Sequence, residues 1–165
     1  RLQHLTLTQS KKIGVRGQSS FTMEDVLVEK SKHSGVMCSE LGTVAICTNI
    51  EVHQCEWSGV VAANGTSIIL IGPKTMVHGN SKSTNTYGLE VYGPSSTIQL
   101  VSPLTKEKVS YDNCGGYDWG QKCYNWGQKY LGNINQIKTI TEAELAALEQ
   151  KATDIAPNNV AFLRF

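Results

Sequence analysis

Short apolar runs, separated by segments rich in Gly, Pro, Ser and Asn, recur through the middle of the chain. Their spacing of roughly eight to twelve residues is typical of successive β-strands joined by turns. Such a pattern predicts an antiparallel sandwich or a barrel-like sheet. The predicted strands are residues 42–47, 50–57, 59–63, 67–71, 75–78, 88–92, 97–101 and 108–111.

Asn64-Gly65 separates two of these runs. A two-residue Asn-Gly loop favours the turn in which both central residues have positive φ. We therefore predict a β-hairpin between residues 59–63 and 67–71.

The N-terminal part of the chain is less clearly patterned. Residues 1–20 are polar, and we predict a linker or an edge segment, followed by a single β-rich domain over 21–165. Thr22 precedes Met-Glu-Asp, which is typical of a capped helix start, so residues 23–31 are assigned to a helix. The consecutive Val26, Leu27 and Val28 fit a strand equally well.

Two nearly identical heptapeptides, Tyr117–Cys123 and Tyr124–Tyr130, follow one another directly. Trp119, Cys123, Trp126 and Tyr130 recur at intervals of four, three and four residues, which places them on one face of a helix. Glycines inside both copies weaken this prediction. A pair of short aromatic strands or turns is the alternative.

Residues 141–152 carry the clearest helical pattern, with a capping threonine, acids in the first turn and many strong helix formers. Residues 160–165 read as a final strand. The predicted fold class is thus α+β, predominantly antiparallel β, with two helices in the C-terminal third.

Composition narrows the range of partners. Fifteen Lys and Arg balance fourteen Asp and Glu, and the basic residues are scattered, so we expect no nucleic-acid partner. No apolar run is long enough to cross a bilayer, so no membrane insertion is expected. Low charge content with abundant Gly, Ser, Thr and Asn favours an extracellular protein, or one on a cell or particle surface.

Five cysteines lack the spacing of a zinc or thioredoxin-like site. We predict two local disulfides, Cys114–Cys123 and one among the first three cysteines, with Cys38 and Cys47 as candidates. Five reduced, buried cysteines are the alternative.

Candidates for catalysis are weak. Cys55 and His78, with Asn80 or Asn85, supply the residue types of a cysteine hydrolase, but Glu56 beside Cys55 would disfavour the thiolate. A carboxylate pair from Glu51, Glu56, Glu90, Asp112 and Asp118 is a second enzymatic option. His53 and Cys55 lack a convincing set of further ligands, so neither a metal nor a cofactor is predicted.

Aromatic residues with polar neighbours favour binding, because Trp and Tyr combine large contact areas with few rotatable bonds. We therefore predict a non-enzymatic adhesion domain that recognises a cell-surface receptor or a glycan. Its predicted place is the tip of a fibre- or pilus-like assembly. A small secreted hydrolase and a structural subunit that forms homo-oligomers or larger assemblies are the alternatives. The predicted contact residues are Trp119, Trp126, Tyr117, Asp118, Asn125, Asn85 and Tyr87.

Overall fold

The computed structural model describes residues 1–82, 85–114, 117–122 and 134–155. Its strands are short and follow one another closely along the chain. They are β1 (Leu2–Thr8), β2 (Val15–Gly17), β3 (Phe21–Glu29), β4 (Val36–Cys38), β5 (Val44–Thr48), β6 (Glu51–His53), β7 (Val60–Ala63), β8 (Ser67–Ile71), β9 (Met76–His78), β10 (Leu89–Tyr92), β11 (Thr97–Val101), β12 (Ser110–Tyr111), β13 (Trp119–Lys122) and β14 (Ile137–Ile140). The helices are α1 (Lys106–Val109) and α2 (Glu142–Ile155), and a 3₁₀ turn spans Ile134–Gln136.

Every strand pairing in the described residues is parallel. Each strand pairs with its counterpart one circuit later: β4 with β7, β7 with β10, and β10 with β13. The same holds for β5, β8, β11 and β14. The chain therefore winds as a parallel β-solenoid, in which each coil lies on the previous one.

The larger sheet bends at Asp25 within β3. Residues 21–24 pair with β5, whereas residues 27–29 pair with β6. Asp25 has a φ of 49°, and Asn49 between β5 and β6 has a φ of 51°. Each coil thus has three faces, formed by the β5 arm, the β6 arm and the separate sheet that contains β4 and β7.

The core fills the inside of the coils with one residue of each column stacked on the next. Val28, Val52 and Val77 form such a column on the β6 arm, and all three are fully buried. Opposite them the backbone comes very close: a Cβ built on Gly59 would lie 2.4 Å from Cγ1 of Val77. Gly35 meets Val52 in the same way.

The predicted antiparallel sheet is wrong, because every pairing between the described strands is parallel. In β4, β6 and β9 buried and partly exposed residues alternate just as they do in antiparallel strands, whereas all four residues of β7 are buried. Asn64 and Gly65 do have positive φ, 58° and 78°. The turn joins β7 to β8, which lie in different sheets and do not pair, so the hairpin is wrong as well.

One of the three predicted helices is confirmed, and the described parts of the other two largely form strands. Residues 23–31, predicted as a helix, fall largely in β3, and Trp119–Lys122 of the heptapeptide repeat is the strand β13. The C-terminal helix is confirmed as α2, and Thr141 and Glu144 form the reciprocal hydrogen bonds of a capping box. The second heptapeptide and residues 160–165 lie outside the described residues. No helix in the described part of the chain is long and apolar enough to cross a membrane.

Candidate functional site

One corner of the solenoid, which leads from the β6 arm into the β4 sheet, is built from a buried polar column. Ser31, Cys55, Asn80 and Asn113 occupy corresponding positions on successive coils, and all four are buried. The Asn80 side chain donates to the carbonyl of Val52 (2.9 Å) and accepts from the amide of Cys55 (3.0 Å). Asn113 Oδ1 accepts from the amide of Asn80 at 3.0 Å. Such satisfied buried amides fix the corner from one coil to the next.

The same corner carries one aromatic ring on each of four successive coils. We call His33, Trp57, Tyr87 and Tyr117 the aromatic row. His33 stacks on Trp57 with ring centroids 3.9 Å apart, and Tyr87 lies 5.9 Å from Tyr117 at an angle of 36°. Trp57 and Tyr117 remain 41% and 49% exposed, which is unusual for side chains of this size.

A hydrogen-bonded chain below the row holds Tyr87 in place. The Tyr87 amide donates to Ser58 Oγ at 3.0 Å, and that hydroxyl donates to the buried carboxylate of Glu90. Burial, followed by the charge of Glu90, raises the pKa of the Tyr87 phenol. This phenol therefore stays protonated and able to donate near neutral pH.

The predicted contact residues fall into different environments. Tyr87 and Tyr117 belong to the aromatic row, and Asn85 is exposed in the loop before Tyr87. Asp118 is a structural residue, because its carboxylate accepts from the amide and the side chain of Asn113, both at 3.0 Å. Trp119 is half-buried against the core, with Lys106 Nζ 5.4 Å from its ring centroid. Trp126 and Asn125 lie outside the described residues.

A second cluster lies on the outer face of the β6 arm. We call Glu29, Glu51, His53, His78 and Tyr111 the imidazole–carboxylate ladder. His78 Nε2 lies 3.2 Å from Glu51 Oε1, and His53 Nε2 lies 3.6 Å from Glu29 Oε2 and 3.8 Å from Glu51 Oε1. The rings of His53, His78 and Tyr111 stack in order, with 5.2 Å between successive centroids.

The Glu29 carboxylate has two hydrogen-bond donors beside it that stabilise its charged form. Hydrogen bonds from Thr8 and Lys30 lower its pKa below the usual glutamate value. The Glu29 carboxylate is therefore ionised beside His53 at neutral pH. Within the described residues, no set of three or more His, Cys, Asp or Glu side chains is arranged to hold a metal ion.

Cys55 does not meet His78 across a catalytic site. Its side chain packs into the core, and its Sγ donates weakly to the carbonyl of His53 at 3.6 Å. His78 points the other way, because its neighbour Val77 faces the core. Burial raises the pKa of the Cys55 thiol, so the thiolate that catalysis would require is disfavoured.

The predicted bridge between Cys38 and Cys47 is absent, and Cys38, Cys47, Cys55 and Cys114 are free thiols. Cys38 lies in β4 and Cys47 in β5, so the two cysteines belong to different sheets. Burial raises the pKa of Cys38 to about 12 and raises that of Cys47 as well. Cys123, the predicted partner of Cys114, lies outside the described residues.

His33, Trp57, Glu29 and Tyr111 were not predicted as site residues, because no short motif connects them to the other members of their clusters. Trp57 and His33 are 24 residues apart in the chain, and Glu29 and His53 are also 24 apart. Each pair comes together because it occupies equivalent positions on adjacent coils. A recurrence near 24 residues would have been the signal to look for.

Comparisons with protein-family models, curated proteins and solved structures give no significant match.

Proposed function

We propose that this protein is a binding domain, displayed outside the cell or on a particle surface, which recognises an extended glycan along the aromatic row. The observation that carries the proposal is the exposure of Trp57 and Tyr117 at one corner of a rigid solenoid. Large exposed aromatic surfaces cost free energy in water, and contact with the apolar face of a sugar ring would recover part of it.

The placement of the row on successive coils suits a linear ligand. Successive coils are separated by about 4.8 Å, the distance between neighbouring strands of a sheet. The two ring pairs, His33–Trp57 at 3.9 Å and Tyr87–Tyr117 at 5.9 Å, therefore follow one another along the direction in which the coils stack. Polar groups flank the rings: Lys32 and Glu56 form an ion pair at 2.6 Å beside Trp57. A hydroxyl-rich chain that lies parallel to the solenoid axis fits this combination.

Composition is what supports the extracellular or surface location. The described cysteines are free thiols, so they give no support to an extracellular location. Part of the Gly and Asn content now has a structural explanation, because Asn49, Asn64, Gly65 and Gly72 provide the positive φ that the corners need. The low charge content of 18% remains in favour of a surface-displayed protein.

Trp57→Ala should abolish most of the binding. We would screen the protein against xylan, mannan, chitin oligomers and cello-oligosaccharides, and then titrate the tightest ligand by calorimetry. Loss of one aromatic hot spot should weaken affinity at least about tenfold, and Tyr117→Ala should act in the same direction.

Leu41→Ala is the matched control, because Leu41 is 84% exposed and lies at another corner. The glycan affinity of the Leu41→Ala variant should equal that of the unmodified protein. A folded Trp57→Ala variant with full affinity would contradict the proposal, and so would the absence of binding to every glycan in the screen.

A further inference from the structure

The imidazole–carboxylate ladder contains two similar units on adjacent coils. His78 is paired with Glu51, and His53 is paired with Glu29. The two units are linked, because Glu51 Oε1 also lies 3.8 Å from His53 Nε2. Two imidazoles, each with its own carboxylate and held side by side, can act as a proton acceptor and a proton donor in one reaction.

Stacking determines which parts of the rings meet the solvent. His78 lies between His53 and Tyr111, with interplanar angles of 15° and 4°. Because the neighbouring rings cover both of its faces, the edge of the imidazole is what remains accessible, and that edge carries the nitrogens. The side chains of His78 and Glu51 are 28% and 37% exposed, so a small molecule can reach them.

We propose that the ladder is an acid–base site that hydrolyses neutral carboxylic esters. His78 acts as the general base, His53 as the general acid, and Glu51 as the positioning residue for His78. This activity is separate from glycan binding by the aromatic row.

The reaction needs only water as a co-reactant. His78 takes a proton from water while the water oxygen bonds to the acyl carbon, and the π electrons of the carbonyl move onto its oxygen to give a tetrahedral intermediate. The carbonyl then re-forms as the bond from the acyl carbon to the alcohol oxygen breaks, and the alkoxide takes its proton from protonated His53. The products are a carboxylic acid and an alcohol, and proton exchange with solvent restores both imidazoles. Glu51 favours the imidazolium that forms on His78, as a carboxylate does beside a catalytic histidine.

The charges around the ladder favour a neutral ester over a glycoside or a phosphodiester. A glycosidase needs one carboxylic acid in its protonated form, whereas Glu29 has a lowered pKa and Glu51 contacts both imidazoles. Phosphodiesters are anionic, and the two carboxylates would repel them. His78 faces Glu51, His53 and Tyr111, and His53 faces Glu29, Glu51 and His78. Lys30 bonds to Glu29 at 3.2 Å and offsets part of that negative charge.

Two ester probes separate the roles of the histidines. The phenolate leaving group of 4-methylumbelliferyl acetate needs little protonation, whereas the alkoxide of benzyl acetate needs a general acid. His78→Gln should lower kcat/KM at least about tenfold for both esters. His53→Gln should lower it mainly for benzyl acetate, and Glu51→Gln should shift the pH profile of the aryl ester.

His4→Gln is the matched control. His4 forms an exposed pair with Asp25 at 3.5 Å, so it resembles the ladder units without belonging to the ladder. Its rates should stay within about twofold of the unmodified protein. Turnover no faster than that of free imidazole at equal concentration would overturn the proposal, and so would a folded His78→Gln variant that keeps more than half of the rate. Glycan binding by His78→Gln tests the aromatic row independently.

Discussion

Gly59 shows how closely the backbone of one corner approaches the core. A Cβ at this position would lie 2.4 Å from Val77 Cγ1 and 2.8 Å from the carbonyl oxygen of Gly88. Neither neighbour can move easily, because Val77 is fully buried and Gly88 belongs to the next coil. A glycine here is a packing requirement.

Gly59→Ala should therefore lower the free energy of unfolding by about 3 kcal/mol, since overpacking of a tight core costs roughly that much. Urea unfolding followed by circular dichroism would measure the change in midpoint at constant slope.

Gly79→Asn is the comparison for this change. Gly79 has a φ of 61°, and a Cβ there would meet nothing within 4 Å. Asn tolerates this backbone conformation, so the variant should stay within about 0.5 kcal/mol of the unmodified protein. Equal losses for both variants would contradict the steric explanation.

At the scale of elements, α2 begins with well-defined side-chain contacts. Glu144 Oε2 accepts from the amide of Thr141 at 2.7 Å, and Thr141 Oγ1 accepts from the amide of Glu144 at 3.1 Å. Leu145, in the next position, packs against the outer apolar patch that contains Ile140. The cap therefore sets where the helix leaves the last described strand.

Thr141→Ala should destabilise the first turn of α2 by about 1 kcal/mol, because the Glu144 amide loses its acceptor and the Glu144 carboxylate loses the hydroxyl donor. Amide hydrogen exchange over residues 142–147 would report faster opening. Thr141→Ser keeps the hydroxyl and should restore protection; failure of that rescue would mean that the methyl group matters more than the cap.

The contrast between α2 and β13 explains what the sequence could predict. Residues 141–152 combine local propensity with a capping box, so the helix follows from nearby residues alone. Trp119–Lys122 forms a strand because β10 pairs with it from the preceding coil. The helical spacing of the tryptophans carried no information about that partner. Strand positions were largely predictable, whereas parallel pairing depends on contacts between residues more than 20 positions apart.

The candidate sites depended on the same long-range register. Tyr87 and Tyr117 were predicted as contact residues from their aromatic character, and the structure brings their rings together. Trp57 and Glu29 could not be assigned, because their neighbours come from the adjacent coil. Both clusters form because successive coils stack, and short sequence motifs carry no information about which residues then become neighbours.

At the scale of the whole molecule, the solenoid encloses its thiols to different degrees. Cys38, Cys47 and Cys55 are buried, whereas Cys114 is exposed. In a Cys123→Ser background, an aromatic disulfide reagent should label Cys114 within minutes at pH 8. The three buried thiols should react only as the coils open, because both burial and a raised pKa protect them.

Peptide mapping of the labelled protein would identify each site. Labelling of Cys47 as fast as Cys114 would contradict the described core. A Cys38–Cys47 disulfide in the unreduced protein would do so too, since the two thiols are free in the structure.

Coil length varies although the stacking does not. Val60 follows Val36 by 24 residues, whereas Leu89 follows Val60 by 29, and both pairs are in register. Much of the difference lies in the corner between β9 and β10, which is longer than the corner between β6 and β7. Corners can therefore absorb extra residues while the strands on either side keep their partners. A short peptide tag inserted after Lys82 should leave the protein folded, which would make this corner a practical attachment point for a fluorophore or an affinity handle.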